Sequence, residues 1–512
     1  MRRATTPTSR TSRTSRTIRV AAVLAAFGLV AACSGGDSIT DTGATNAPVS
    51  TAPSDSDGST PPETLAPTTT VAPDSLPDCP TDALADSSGT VTLQFWHGMT
   101  GALGEQLEAL VTGYNASQSA VRIELIGGSY EETFDNYLQS GQDNRPDLIQ
   151  LPEYTVQSVI DTESVIPVGK CIEASGFDTS PFLSAALSAY ATQGVQWSMP
   201  FNVSNPVLFY NKRVFEAAGL DPNVPPASLE EMRQFSQQIV ESGASTYGVA
   251  LESGFDSGGG WYVEQWFAKA QEFYLNGDNG RTNRATEVLY NNETGVELLT
   301  FLQQLLADGL AVNVGDNSGT GYDNLLKLAD EQQPAAMTIA TSASLGPVLE
   351  VLGTDQFPGI SANDVGVGPM PGPDGAPGAL IGGASLWVVD HDDPVRAAAA
   401  WDFITFMVST ESQSTWAAGT GYVPIRSDAL DVEPYASTVA ADPRFAVALA
   451  QLESSPDALT SAGPVVGPLR EIRSVLASAV AAILDGADVK TTLDEAAQQA
   501  NNLIADYNLR NS

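Results

Sequence analysis

The sequence predicts an α/β fold, in which parallel strands alternate with helices. Apolar and polar residues alternate at residues 91–95 and 121–126, as in half-buried strands, whereas apolar residues recur at helical spacing at residues 103–114. The 512 residues are 42% hydrophobic, so the chain is long and apolar enough for one large two-lobed unit or several domains. Its 45 glycines and 32 prolines suit a fold with many turns.

The first five elements follow the order strand, helix, strand, helix, strand. They are predicted at residues 91–95, 103–114, 121–126, 130–138 and 147–151. Later strands are predicted at residues 207–210, 247–251 and 335–340, and later helices at residues 228–240, 293–306 and 345–349. Thr341 and Ser342 are candidate caps for the last of these helices. Because parallel sheets bind ligands beyond the carboxyl ends of their strands, the segments that follow strands are candidate sites.

The first 32 residues have the pattern of a secretion signal. They contain six arginines and no acidic residue, and their apolar stretch at residues 20–32 is too short to span a membrane. Residues 30–33 (Val-Ala-Ala-Cys) resemble the lipobox of bacterial lipoproteins, in which the cysteine, here Cys33, is acylated and becomes the first mature residue. This resemblance implies an extracytoplasmic protein anchored to the cell membrane by lipid. An ordinary signal peptide with an incidental cysteine is the alternative.

Residues 33–80 are predicted to be a disordered tether, because they are rich in Ser, Thr and Pro and contain almost no large apolar residue. The ordered domain is expected to begin near Thr90. Cys79 and Cys171 favour a disulfide in a protein outside the cytoplasm, and two free buried thiols are the alternative. Neither His97 nor His391 has a ligand spacing to a thiol, so no metal site or cofactor is predicted.

The acidity of the chain argues against nucleic acid as a partner. The formal net charge is -38, from 61 acidic and 23 basic residues, and removal of the signal would leave only 17 basic residues. Binding to a phosphate backbone requires basic clusters, which this composition does not offer. An anionic small molecule stays compatible with the charge, because local donors decide its binding while distant charges are screened.

Five motifs between residue 90 and about 505 resemble the extracellular solute-binding proteins of bacterial ABC importers (family 1, sugar type). These motifs are FWHGM (95–99), PFNVSNPVLFYNK (200–212), AGLDP (218–222), IGGASLW (381–387) and GTGYVPI (419–425). The motifs at 381–387 and 421–425 are similar to the branch that binds glycerol 3-phosphate and glycerophosphodiesters. The resemblance implies a type II periplasmic-binding-protein fold, with two α/β lobes joined by hinge strands around a ligand cleft.

The same resemblance implies the boundaries of the lobes and the partners. Lobe I would comprise residues 90–202 plus about 343–393, and lobe II about 203–342 plus 394–508. We expect a monomer that is not an enzyme, which captures a small polyol phosphate and delivers it to the permease subunits of the importer. The motifs are compatible with an oligosaccharide as an alternative ligand.

The similarity places eight residues in the ligand cleft. They are Tyr130, Glu153, Ser204, Leu229, Thr341, Gly383, Tyr422 and Arg473. The branch usually carries serine at the position of Thr341 and tryptophan at that of Leu229, so Leu229 is expected to enlarge the cleft. A carboxylate suits neighbouring ligand hydroxyls, while hydroxyls, a backbone N–H and a guanidinium suit phosphate oxygens.

Each of these residues also has a simpler interpretation. Glu153 could be a solvated carboxylate, and Arg473 could pair with Glu471 on a helix surface. The tyrosines could be packing residues, and residues 382–383 could be only a tight turn. A secreted glycosidase with two catalytic carboxylates is a rival class, but no local motif pairs carboxylates, and neither histidine has a nucleophile partner.

Overall fold

The computed structural model describes residues 76–317, 321–352, 357 and 359–511, and it contains thirteen strands in these ranges. The strands are β1 Val91–His97, β2 Val121–Gly127, β3 Leu148–Pro152, β4 Val165–Ile166, β5 Ala191–Thr192, β6 Val195–Gln196, β7 Met199–Ser204, β8 Pro206–Asn211, β9 Tyr247–Leu251, β10 Ala311–Asn313, β11 Ala335–Thr341, β12 Val365–Pro369 and β13 Gly382–Val389. The signal, Cys33 and most of the expected tether lie outside the described residues.

Eighteen α-helices cover the strands within the same ranges. They are α1 Gly101–Ser117, α2 Tyr130–Gln139, α3 Val156–Ile160, α4 Val168–Ser175, α5 Ser184–Ala189, α6 Lys212–Ala217, α7 Leu229–Ser242, α8 Trp261–Lys269, α9 Asn276–Asn279, α10 Glu293–Ala307, α11 Asp323–Leu326, α12 Leu345–Leu352, α13 Pro394–Met407, α14 Thr410–Thr420, α15 Tyr435–Ala441, α16 Val447–Glu453, α17 Leu469–Leu484 and α18 Val489–Arg510. None of the described helices is long and apolar enough to cross a membrane.

Two mixed sheets organise these elements. The first has the order β2-β1-β3-β13-β4, with β7 also paired to β13, and the second has the order β10-β9-β11-β8-β12. We call each sheet with its packed helices the first and the second lobe. The α/β expectation is confirmed, because β1 is parallel to β2 and β3, and β9 is parallel to β10 and β11.

The predicted elements correspond to observed ones because their periodicity is strong. Tyr247–Leu251 is a strand with the predicted bounds, and Ser228 caps α7 by accepting a hydrogen bond from the Glu231 N–H. One local prediction differs. Thr341 caps a 3₁₀ turn at Ser342–Ser344 rather than α12 directly, while the Ser342 hydroxyl accepts a hydrogen bond from the Asn205 N–H.

The chain crosses between the lobes in a different pattern from the expected boundaries. β12 lies within the expected lobe I, yet it pairs with β8 in the second sheet. Residues 394–420, expected in lobe II, form α13 and α14, which pack on β1, β13 and α1 of the first lobe. The small buried side chains of Ala397–Ala400 allow α13 to approach the first sheet closely. These two segments therefore belong to the opposite lobes.

Ordered structure also begins earlier than Thr90. Cys79 is buried and bonded to Cys171, and a 3₁₀ turn at Ala83–Asp86 contacts α13. Leu76 packs against the core of the first lobe. The end of the expected tether is therefore part of the folded domain, since the disulfide and these apolar contacts hold residues 76–89 against the first lobe.

Candidate functional site

The crossing point between the lobes requires a glycine. β7 ends at Ser204 in the first sheet, and β8 begins two residues later in the second sheet. Opposite this crossing, Gly383 of β13 pairs with Val203 and has φ +99°, and a Cβ on it would lie 2.0 Å from the Asn202 carbonyl oxygen. Since no larger residue fits, the backbone here has a close packing that a simple tight turn would not need.

The neighbouring glycine brings the second lobe into contact with the same strand. A Cβ on Gly382 would lie 2.4 Å from Cζ2 of Trp261, at the start of α8. Trp261 and Trp266 are both buried, so they pack as core residues. The two glycines at residues 382–383 thus let both lobes meet at one strand end.

A hydrogen-bond network holds Tyr130 beside the crossing. Its hydroxyl accepts a hydrogen bond of 2.9 Å from Asn202 Nδ2, and Asn202 Oδ1 accepts one of 2.7 Å from Gln150 Nε2. The ring of Tyr130 lies over Gly98 of the FWHGM motif, where a Cβ would be 2.2 Å from the ring. Tyr422 stacks on Trp416, with ring centroids 5.7 Å apart, and its hydroxyl lies near Asn202 and Tyr130.

These hydroxyls stay protonated. Burial, then the neighbouring Tyr422 hydroxyl, raises the pKa of Tyr130 well above its ordinary value. Burial also raises the pKa of Tyr422. Both side chains can therefore donate to a ligand oxygen at any physiological pH.

Arg473 is buried between two carboxylates. Its Nε and Nη2 each donate a 2.7 Å hydrogen bond to the two oxygens of Glu264, and its Nη1 donates one of 3.0 Å to Glu153 Oε1. Burial lowers the pKa of Arg473, but the charges of Glu264 and Glu153 outweigh it, so the net shift is upward. The helix-surface interpretation of Arg473 is wrong, because the side chain is 2% exposed and Glu471 pairs with Arg470 instead.

A second buried arginine clamps the backbone next to this network. Arg281 donates hydrogen bonds to the carbonyl oxygens of Ser188, Ala189 and Ala191 in the first lobe. It also donates to the carbonyl oxygens of Ala462 and Gly463. Burial lowers its pKa to about 9, so it remains cationic at neutral pH. Because its donors are taken by carbonyls, Arg281 positions chain segments and has little capacity left for a ligand.

A small cavity of ≈ 10 Å³, enough for about one water molecule, lies between Arg281 and Arg473. Its lining includes Glu153, Ala189, Glu264, Arg281 and Arg473. The charge of Arg473 is compensated by Glu264 and Glu153, and the donors of Arg281 are taken by backbone carbonyl groups. The site therefore offers hydroxyl groups, an amide and a carboxylate, rather than a guanidinium with free donors.

The structure brings seven of the eight predicted residues to this region. Val423 N–H donates 2.8 Å to the Val203 carbonyl, which places Tyr422 beside Ser204. Thr341 lies opposite Pro206 in the pairing of β11 with β8, one step from the crossing. The expected residues of both lobes thus lie around one junction.

Leu229 does not join this cluster. Its N–H donates to the Gly372 carbonyl, and Gly372 lies against Lys269 at the end of α8. Lys269 is eight residues from Trp261, or about 12 Å along the helix axis at 1.5 Å per residue. Leu229 packs in the second-lobe core, so its expected effect on the size of the cleft stays a prediction.

Four residues of the site were missed from the sequence. Asn202, Tyr190, Glu264 and Arg281 are 0 to 5% exposed. Asn202 lies inside a quoted motif and could have been found there. Glu264 and Arg281 are rare buried charges in the fold, but nothing in their local sequence separates them from solvated surface residues.

Glu252 lies in a loop of the second lobe. Its buried environment predicts that the stability of the folded protein depends on pH. Burial, with a contribution from Asp256, raises its pKa to about 8, and its carboxyl accepts hydrogen bonds from Asn317 and Asn324. The folded state then binds a proton that the unfolded state releases above pH 4.5, so this contribution to stability is lost as the pH rises towards 8. We expect the melting temperature to be several degrees higher at pH 5 than at pH 8.

Glu252→Gln isolates the group responsible, because glutamine keeps an acceptor for the asparagines but does not titrate. The melting temperature of this variant should vary less between pH 5 and pH 8 than that of the wild type. Calorimetric melting of both proteins in matched buffers measures the difference. An equally steep fall in both would assign the pH dependence to other groups.

Comparisons with known proteins agree with this architecture. The chain matches the family model of the bacterial extracellular solute-binding proteins over residues 109–447. The sn-glycerol-3-phosphate-binding periplasmic protein UgpB of Escherichia coli is 27% identical over 436 residues, which cover 82% of this chain and 94% of that protein.

Two solved structures share the fold. UgpB of Mycobacterium tuberculosis, in complex with glycerophosphocholine, matches with a TM-score of 0.64 and 20% identity, over 82% of this chain and 100% of that chain. The sugar-binding protein MalE of Xanthomonas citri matches with a TM-score of 0.68 and 17% identity, over 82% of this chain and 98% of that chain. The two lobes around the crossing therefore form a periplasmic-binding-protein fold.

Proposed function

Since this chain belongs to the bacterial extracellular solute-binding proteins, we propose that it captures glycerol 3-phosphate or a glycerophosphodiester and delivers it to the permease of an ABC importer. The observation that carries the proposal is the junction of the lobes, where Tyr130, Tyr422 and Asn202 lie together and Arg473 binds Glu153. Hydroxyl donors and a carboxylate suit a polyol, and the same donors suit phosphate oxygens. The names of the E. coli and M. tuberculosis relatives point to the same ligand class.

The electrostatics of the site favour a diester over the monoester. Arg473 makes three charged hydrogen bonds to carboxylates, so its charge is already compensated. A dianionic monoester would find no guanidinium with free donors, because those of Arg281 are taken by carbonyl groups, whereas a zwitterionic diester such as glycerophosphocholine has no net charge. We therefore place glycerophosphocholine before glycerol 3-phosphate among the ligands.

A neutral oligosaccharide is the second candidate ligand. The same compensated Arg473 favours an uncharged polyol, and the MalE neighbour is described as a sugar-binding protein. A calorimetric titration with glycerophosphocholine, glycerol 3-phosphate and maltotriose decides between the candidates. Binding of maltotriose alone would replace the phosphodiester by a sugar, and conversion of any of them to product would contradict the non-enzyme assignment.

We also propose that the protein is a lipoprotein, anchored to the outer face of the cell membrane. It works as a monomer. Its lipobox lies outside the described residues, so the support is the sequence pattern around Cys33. Cys33→Ala is expected to move the protein from the membrane fraction to the medium. Retention of the variant in the lipid fraction would contradict lipidation at this residue.

A further inference from the structure

One buried tyrosine of the site has a hydroxyl without a partner. Tyr190 is 0% exposed, and its hydroxyl makes no hydrogen bond with any residue that the structure describes. Leaving a buried polar group unpaired costs about 1–3 kcal/mol, and most such groups in folded proteins are paired. A hydroxyl held in this state within a binding site is therefore a candidate for pairing with the ligand.

Tyr190 lies next to the cavity that Glu153 lines. Ala189, the preceding residue, lines the same cavity as Glu153. Burial, then the charge of Glu153 and the Tyr422 hydroxyl, raises the pKa of Tyr190 well above its ordinary value. The Tyr190 proton consequently stays available for donation.

The backbone around Tyr190 is fixed on both sides. Arg281 donates hydrogen bonds of 2.7 Å to the Ser188 carbonyl and 2.7 Å to the Ala191 carbonyl. Trp197 N–H donates 3.1 Å to the Tyr190 carbonyl itself. These hydrogen bonds hold the backbone segment that carries the Tyr190 side chain.

We propose that Tyr190 is a further ligand-binding residue, and that it shares one ligand hydroxyl with Glu153. The Tyr190 hydroxyl donates to the oxygen of that ligand group, and the ligand group donates its own proton to the Glu153 carboxylate. A hydroxyl can do both at once, whereas a phosphate oxygen only accepts. Arg473 occupies one oxygen of Glu153, and the carboxylate still has lone pairs for a second donor.

This inference rests on the proposed function, since it names the part of the same site that recognises the polyol end of the ligand. Tyr190→Phe removes only the hydroxyl. We expect its affinity for glycerophosphocholine to fall about three- to tenfold, the range of one neutral hydrogen bond. Its melting temperature should equal or exceed that of the wild type, because an unpaired buried group is removed.

Tyr290→Phe is the matched control. Tyr290 is also fully buried and its hydroxyl also has no partner among the described residues, but it belongs to the second-lobe core. We expect this variant to keep the wild-type affinity. An unchanged affinity in Tyr190→Phe, within twofold, would overturn the assignment.

Two ligand analogues test the shared hydroxyl. One is 3-hydroxypropyl phosphocholine, which lacks the secondary hydroxyl, and the other is 2-hydroxypropyl phosphocholine, which lacks the terminal one. The effect of Tyr190→Phe should vanish for one analogue, because the group that Tyr190 binds is already missing. An equal loss of affinity for all three ligands would instead indicate a structural role.

The outcomes separate this inference from the proposed function. If the wild type binds maltotriose rather than a phosphodiester, the same two variants are titrated with maltotriose, and a loss confined to Tyr190→Phe still supports the inference. Wild-type binding to a ligand without any effect of Tyr190→Phe contradicts the inference alone. A wild type that binds none of these ligands contradicts both.

Discussion

Arg473→Ala is expected to abolish ligand binding and to lower the free energy of unfolding by about 3–5 kcal/mol. The arginine is the common partner of Glu264 and Glu153, so its loss leaves two carboxylates unpaired at the junction of the lobes. The side chain of Glu264 is 1% exposed, and water cannot replace the missing guanidinium there. Calorimetric unfolding and titration with glycerophosphocholine measure the two effects.

A double variant separates stability from binding. In Arg473→Met combined with Glu264→Leu, the buried pair is replaced by apolar groups, so much of the stability should return. Binding should not return, because Glu153 has lost the group that orients it. Glu471→Ala is the matched control and should leave binding unchanged, since Glu471 contacts Arg470. Full binding by Arg473→Ala would contradict the placement of this arginine in the site.

Gly383→Ala should also have a large effect, although it adds only one methyl group. The residue has φ +99°, and the new Cβ would lie 2.0 Å from the Asn202 carbonyl oxygen, so β7 and β13 must separate. We expect the free energy of unfolding to fall by roughly 3 kcal/mol or more, in the range of severe backbone substitutions. Binding should be lost as well, because Asn202 holds the Tyr130 hydroxyl.

Gly176→Ala shows what a positive φ costs by itself. Gly176 caps α4 with φ +65°, and no atom lies within 4 Å of the position of its Cβ. Its substitution should cost about 1 kcal/mol. If thermal unfolding finds Gly383→Ala no more damaging than Gly176→Ala, the close approach at the crossing has been overestimated.

The local elements could be predicted because their periodicity is a property of neighbouring residues. Strand β9 and helix α7 illustrate this, as alternation and a Ser228 cap are visible within a dozen positions. The pairing of β13 with β7 joins residues about 180 positions apart, and no local pattern contains it. The lobe of α13 could not be predicted for the same reason, since a helix with buried alanines fits either sheet.

The residues of the candidate site also fall into those that the sequence could identify and those that it could not. Residues inside recognisable motifs, such as Gly383 and Tyr422, were found together where the lobes meet. The alternative interpretation of Arg473 paired it with Glu471, two positions away, whereas the structure supplies Glu264, which is 209 residues distant. Leu229 was assigned from the family similarity outside the five motifs, and the helix that carries it starts in the second-lobe core. Distant pairs of buried charges are decided by the fold as a whole.

The Arg281 clamp sets a geometric condition on any movement of the two lobes. One guanidinium holds carbonyl groups at residues 188–191 and at residues 462–463, and a relative rotation displaces atoms in proportion to their distance from its axis. An axis far from Arg281 would break several hydrogen bonds, each worth about 1 kcal/mol, before the lobes had separated. An axis that passes close to Arg281 would leave them intact, so opening of the cleft about this guanidinium would cost the least.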